Sequence, residues 1–256
     1  MVLNITIDGI ETRSEKGERI LTAAARVGVV IPTLCQHEAL PDLGSCRLCI
    51  VEVIEGGRRK VVASCVYPIQ QDCAVLTDTE RVRADRRVII SMLHDRAPHD
   101  PYLCGLCAAY GVPLESRYEL PPELTCVLCG RCVAACDAMG SGAIDMAGRG
   151  TGKRVSTPYD ESAESCIGCG ACAAVCPVQA VPMREDGGAR TVWNTRFEPA
   201  RCASCGASYG TAAALDFIRR RLDPNLQALL SLCPRCRRLR PAGGGRHKSV
   251  PHRASK

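Results

Sequence analysis

Large rings are scarce in this chain: of its 256 residues two are Phe, one is Trp and six are Tyr. So few aromatics argue against one large hydrophobic core, and small modules without much core need staples such as disulfides or metal. No stretch approaches the ~20 apolar residues of a membrane span. The first twenty residues, MVLNITIDGIETRSEKGERI, carry charges where a secretory leader needs an apolar run. A phosphate-binding fingerprint is also missing, because GRGTGK at 148–153 lacks the G-x4-G-K-[ST] form. The radical-enzyme run C-x3-C-x2-C is absent as well. These absences argue against a membrane span and a nucleotide pocket, and they predict a cytoplasmic chain.

Cysteine is what the chain has in excess, with 19 residues. In a reducing compartment clustered cysteines usually mean metal, and an odd count argues against a complete disulfide framework. The net charge of +6 is unevenly spread, since residues 217–256 hold eleven Lys/Arg against one acid. That basic end is read as a solvated tail or a partner-docking patch; nucleic-acid binding is the alternative, but no stacking aromatics follow Phe217.

The cysteines fall into four groups. Cys35, Cys46, Cys49 and Cys65 stand in C-x10-C-x2-C-x15-C spacing, with Cys73 nearby. Four thiolates suit a binuclear [2Fe–2S] centre, although plant-type ferredoxins space them differently. Gly44 and Ser45 are small enough to let backbone N–H groups approach cluster sulfurs. Around this loop, Val2–Ile7 alternates as a strand, Asp8-Gly9 reads as a hairpin turn and Ile10–Ser14 as its partner. Ile20–Val27 is predicted as a short helix, Ile50–Ile54 and Lys60–Ala63 as strands. A longer helix begins at a cap on Asp78 or Thr79 and runs to about Leu93, with Val82, Ile89, Met92 and Leu93 inward.

Residues 126–136 (CVLCGRCVAAC) and 166–177 (CIGCGACAAVCP) are an internal repeat. The second is a full C-x2-C-x2-C-x3-C-P run, in which the fourth cysteine ligates the other cluster. This assigns Cys126, Cys129, Cys132 and Cys176 to one [4Fe–4S] cluster, and Cys136, Cys166, Cys169 and Cys172 to a second. Two such runs do not divide into closed tetrahedral zinc sites. Asp137 stands where the first run would carry proline, at a position that is not a ligand.

The last group, Cys202-x2-Cys205 and Cys233-x2-Cys236, brackets a helix expected over Ala212–Arg221. Paired knuckles favour a tetrahedral four-sulfur site, read here as zinc, with a rubredoxin-like iron or no metal as alternatives.

IPTLCQHEALPDLGSCRLCIVEV resembles the [2Fe–2S] domain of the large iron–sulfur subunit of bacterial NADH dehydrogenase, of the small diaphorase subunit of NAD-reducing hydrogenases, and of iron-only hydrogenases. CVLCGRCVAACDAMGSGAIDMAGRG and ESCIGCGACAAVCPVQAV resemble the matching stretch of the NADH-dehydrogenase and formate-dehydrogenase relatives. The resemblance covers about residues 1–185. It implies an α+β chain with an N-terminal β-grasp ferredoxin domain and a bacterial-type two-[4Fe–4S] ferredoxin domain. The terminal cysteine pairs add a four-cysteine knuckle resembling a zinc ribbon. The expected segments are 1–78 for the [2Fe–2S] domain, 79–120 for a helical linker, 121–190 for the paired clusters, 197–240 for the knuckle and 241–256 for a disordered basic tail. In the linker the family carries a further cluster on H-x3-C-x2-C-x5-C. Here His99, Cys104 and Cys107 match loosely, Pro113 stands where the last cysteine would be, and the cluster is expected to be lost unless His94, Asp100 or Cys73 substitutes.

The resemblance implies a non-catalytic electron-transfer subunit. Its partners would be a flavoprotein that oxidises NAD(H) and a catalytic subunit of hydrogenase or formate dehydrogenase type, in the cytoplasm or peripheral on a membrane complex. A stand-alone ferredoxin-like carrier and a cluster-bearing nucleic-acid-binding regulator are the alternatives.

Overall fold

The computed structural model describes residues 1–116 and 125–239. The basic tail expected over 241–256 lies outside the described residues, as do 117–124. The chain divides into two compact units. The first comprises Met1–Gly140, Asp145–Val155 and Ala171–Val181; the second comprises Ser141–Ile144, Ser156–Gly170 and Pro182–Lys256.

In the first unit the strands are β1 Val2–Ile7, β2 Ile10–Glu15, β3 Ile50–Glu55, β4 Arg58–Ala63 and β5 Cys73–Leu76, and α1 Ile20–Arg26 is the helix of this layer. The sheet order is β2-β1-β5-β3-β4. β1 runs antiparallel to β2 and parallel to β5, and β3 runs antiparallel to β5 and β4. Asp8 and Gly9 both take positive φ, 48° and 84°, which turns the first hairpin with the twist its strands need. The alternating Leu3, Ile5 and Ile7 meet Ile20, Ala23 and Ala24 of α1, and with Val51, Val53 and Val75 they form one core. β5 was not expected from the sequence. Four residues bounded by polar turns are too short a pattern to read, and it is pairing with β1 and β3 that makes CAVL a strand.

Two further helices follow, α2 Glu80–Arg96 and α3 Pro101–Tyr110. The Thr79 hydroxyl caps α2 by accepting from Val82 N at 3.2 Å. The inward stripe of α2 differs from the expected one: Val82, Arg86, Ile90 and Leu93 are buried, whereas Met92 is 59% exposed. An arginine inside the stripe shifts the apparent apolar face away from the true one. A second core gathers Leu48, Ile90, Leu93, Leu103 and Cys107 with Cys35, Cys46, Val127 and Cys129. Beyond it lie α4 Arg131–Ala138, a ribbon of β6 Asp145–Ala147 with β7 Arg154–Ser156, and the single turn α5 Ala171–Ala174.

The second unit contains an antiparallel meander of β8 Met183–Asp186, β9 Ala189–Val192 and β10 Thr195–Phe197. A hairpin of β11 Pro199–Arg201 and β12 Ser208–Thr211 follows. Then come α6 Ala212–Arg219, a 3-10 stretch Pro224–Ser231 and α7 Pro234–Arg238. Among the described residues no helix is long and apolar enough to cross a membrane.

Candidate metal centres

The loop between α1 and β3 delivers Cys35, Cys46 and Cys49, and the turn after β4 delivers Cys65; all four are buried. Cys35 interacts electrostatically with Cys46 and Cys65, and Cys49 with Cys65. This interaction holds Cys35 far below the ordinary thiol range and pushes Cys46 and Cys65 far above it. Cys49 is lowered to about 6, chiefly by its hydrogen bond with Cys65. Four thiols this close cannot all ionise together unless cations replace their protons, so the set fits a binuclear iron centre.

Cys126, Cys129, Cys132 and Cys176 also lie together in the first unit. A charge on Cys176 opposes ionisation at each of the other three. Burial is the larger effect and pushes Cys129 to about 11 and Cys132 to about 12. Leu128 N donates to Cys126 Sγ at 3.4 Å and Ala180 N to Cys176 Sγ at 3.2 Å. Thiols that receive amide donors, beside the buried Cys129 and Cys132 that are costly to charge alone, suit a cationic cluster core.

All four cysteines of this first set belong to the first unit. Of the second set, Cys136 and Cys172 belong to the first unit, on α4 and α5, and Cys166 and Cys169 to the second. The two repeats share their backbone course: φ is 55° at Leu128 and 62° at Gly168, and 81° at both Gly130 and Gly170. In the second unit Arg190 Nη1 donates to the carbonyls of Gly168 and Cys169 at 2.8 and 2.7 Å. The buried Thr211 hydroxyl donates to Ile167 O at 2.6 Å.

Cys202 and Cys205 lie in the β11–β12 hairpin, and Cys233 and Cys236 at the start of α7. Their four Sγ atoms are all within 4.8 Å of one another, and Cys205 and Cys233 are 3.8 Å apart. A tetrahedron with metal–sulfur bonds of about 2.3 Å has edges of about 3.8 Å, so the set fits one metal ion and is too tight for the corners of a cubane. The Cys233 amide donates to Cys202 Sγ at 3.2 Å, the main reason Cys202 is lowered to about 6. Cys236 is pushed up to about 12, first by its hydrogen bond with Cys205.

The linker thiols are placed differently from the loose motif. His94 is beside Cys104, with Nε2 3.9 Å from Sγ. Asp100 caps α3 by accepting from Leu103 N at 3.0 Å, and Cys107 is buried in the second core. Cys73 heads β5 against the first core, and burial raises its thiol to about 11.

Several polar groups that serve these loops had no local signal in the sequence. Ser45 Oγ donates to Cys129 O at 2.6 Å, Arg131 Nη1 to Leu34 O at 3.3 Å and Arg96 Nε to Cys126 O at 2.8 Å. Each contact spans 30 or more residues.

A 2Fe-2S iron-sulfur cluster binding domain matches residues 1–80, and a 4Fe-4S dicluster domain matches residues 122–183. A further 4Fe-4S dicluster description matches residues 165–210. A component of the NADH-quinone oxidoreductase of Rhizobium meliloti is 31% identical over 232 residues, covering 80% of this chain and 27% of the relative. A chain in the crystal structure of the NAD+-reducing [NiFe]-hydrogenase in the H2-reduced state is 30% identical, with a TM-score of 0.50, covering 60% of this chain and 74% of that one. The chain belongs to this family of iron–sulfur subunits. Within the family, NADP-reducing hydrogenase subunit HndD of Solidesulfovibrio fructosivorans is 31% identical over 216 residues, covering 72% of this chain and 36% of that relative. The chain thus spans 27% to 36% of the length of these two curated relatives.

Proposed function

We propose that this chain is a cytoplasmic electron-transfer subunit. It would stand between a flavoprotein that handles NAD(H) and a catalytic subunit of hydrogenase or formate dehydrogenase type. Its first sheet is read as a β-grasp ferredoxin domain holding a [2Fe–2S] centre on Cys35, Cys46, Cys49 and Cys65. Cys126, Cys129, Cys132 and Cys176 would hold one [4Fe–4S] centre, and Cys136, Cys166, Cys169 and Cys172 a second; this last set rests on the spacing of the repeat. Such centres supply reversible one-electron chemistry without a proton or a substrate pocket. The chain's part is to hold the thiolates, direct amide donors at their sulfurs and keep them from water. Cys202, Cys205, Cys233 and Cys236 are read as a structural zinc knuckle, because zinc cannot change valence.

The observation that carries the reading is the meeting of two ligand loops in one unit. Cys35 and Cys46 share a core with Cys129, and Ser45 is hydrogen-bonded to the Cys129 carbonyl. A binuclear centre and a tetranuclear centre held by these loops would be neighbours, as electron relay requires. EPR of the reduced, anaerobically prepared chain tests this. Wild type should show a rhombic binuclear signal with tetranuclear signals broadened by mutual coupling. Cys49→Ala should lose the rhombic signal alone. Uncoupled tetranuclear spectra, or a rhombic signal that survives Cys49→Ala, would refute the assignment.

A further inference from the structure

Arg86 is the most deeply buried charged side chain described in the first unit, at 2% exposure. It interrupts the apolar stripe of α2, where a Leu or Ile would pack without an electrostatic cost. Each of its three nitrogens donates: Nη2 to Ile50 O at 2.6 Å, Nε to Leu48 O at 3.3 Å and Nη1 to the Tyr110 hydroxyl at 3.1 Å. These three partners are neutral, and no carboxylate stands among them. Arg190 differs in this respect, because that guanidinium also clasps two carbonyls of a cysteine loop but is neutralised by Glu185 at 2.6 Å. Removing a guanidinium from water without an opposite charge is costly even when its hydrogen bonds are made.

The two carbonyls that Arg86 holds are those of Leu48 and Ile50, the residues on either side of Cys49. Four thiolates around two irons carry a net negative charge that grows by one on reduction. We propose that Arg86 is the buried counter-charge of the Cys35, Cys46, Cys49 and Cys65 centre, and that it raises that centre's reduction potential from behind the ligand loop. The inference rests on the binuclear reading above. A fixed positive charge in a low-dielectric interior favours the more negative, reduced state. Burial also protects it from salt screening, unlike a surface charge.

The test is an EPR-monitored redox titration of the full chain, comparing wild type, Arg86→Gln and Arg86→Lys at low and high ionic strength. A low-potential chemical reductant supplies the electron, and no bond is made or broken in the protein. Arg86→Gln should keep the rhombic signal while its ratio of reduced to oxidised centre at a set potential falls about tenfold, equal to about 59 mV for one electron. Arg86→Lys should stay within about threefold of wild type, and both results should hold at either salt concentration. A fall of about threefold or less in Arg86→Gln overturns the proposal. So does an equal fall in Arg86→Lys, which would assign the effect to hydrogen-bond geometry. If only the lysine variant assembles the centre, the need for charge is supported. If neither variant assembles it, Arg86 is a framework residue and the counter-charge role is refuted. A wild-type chain without the rhombic signal would count against the binuclear reading instead.

Discussion

The Ser45 hydroxyl donates to the backbone carbonyl of Cys129 at 2.6 Å, across 84 residues of sequence. It ties the loop that ends in Cys46 to the turn between Cys126 and Cys132. Leu43 of the same loop packs against the second core, which contains Cys129. The contact is therefore both a structural tie and a place where two cysteine-bearing loops touch.

Ser45→Ala should weaken that tie. Loss of one such hydrogen bond costs about 1 kcal/mol, more if the Cys129 carbonyl finds no other donor. The tie should break as the loops open, so loss of visible absorbance on anaerobic heating should be about fivefold faster. The cluster EPR signals should persist at low temperature. Bleaching at the wild-type rate would show that packing of Leu43 alone holds the loops together.

Gly168→Ala should damage the second repeat far more than the equivalent change would damage the first. Gly168 has φ of +62°, and an added Cβ would lie 2.5 Å from two atoms of the Phe197 ring. The matching residue of the first repeat, Leu128, already has a side chain at φ 55°. Steric displacement of Phe197, added to left-handed strain, should cost about 3 kcal/mol. Anaerobic preparations of Gly168→Ala should therefore hold fewer irons, while Leu128→Gly keeps the wild-type content. Equal iron in both variants would contradict the packing argument.

Cys233→Ser should remove zinc and leave iron in place. Elemental analysis of the full chain should find about one zinc in wild type and close to none in the variant. Iron lost in place of zinc would identify a rubredoxin-like site in the knuckle.

Cys104→Ala combined with Cys107→Ala should leave the iron content at about ten, the sum for one binuclear and two tetranuclear centres. His94 is beside Cys104, and Asp100 caps α3. Cys107 is buried against apolar neighbours, so the variant should lose about 1 kcal/mol of stability through the space left behind. Loss of about four irons would mean that this segment holds a further cluster with a replacement ligand.

Short-range features were legible in the chain alone. Asp8-Gly9 specified the first hairpin because few residues accept two successive positive φ values. The repeated C-x2-C-G runs specified equivalent turns because each places a glycine, which tolerates positive φ, after its second cysteine, and φ is 81° at both Gly130 and Gly170. The Cys202 to Cys236 knuckles likewise came together as their spacing implied.

What the sequence could not determine depends on groups that meet only after folding. Arg86 is charged, so an apolar pattern does not number it among the inward residues of α2; its bonds to the carbonyls of Leu48 and Ile50, 38 and 36 residues earlier, hold it inside. His99 matched a motif by spacing, yet the turn between α2 and α3 carries His94 to Cys104. Cysteine identity and spacing set which groups have metal-binding chemistry, because those are properties of neighbouring residues. The tertiary structure decided which charges and hydrogen bonds surround each thiol, because these come from distant segments whose positions are set by packing around shared cores.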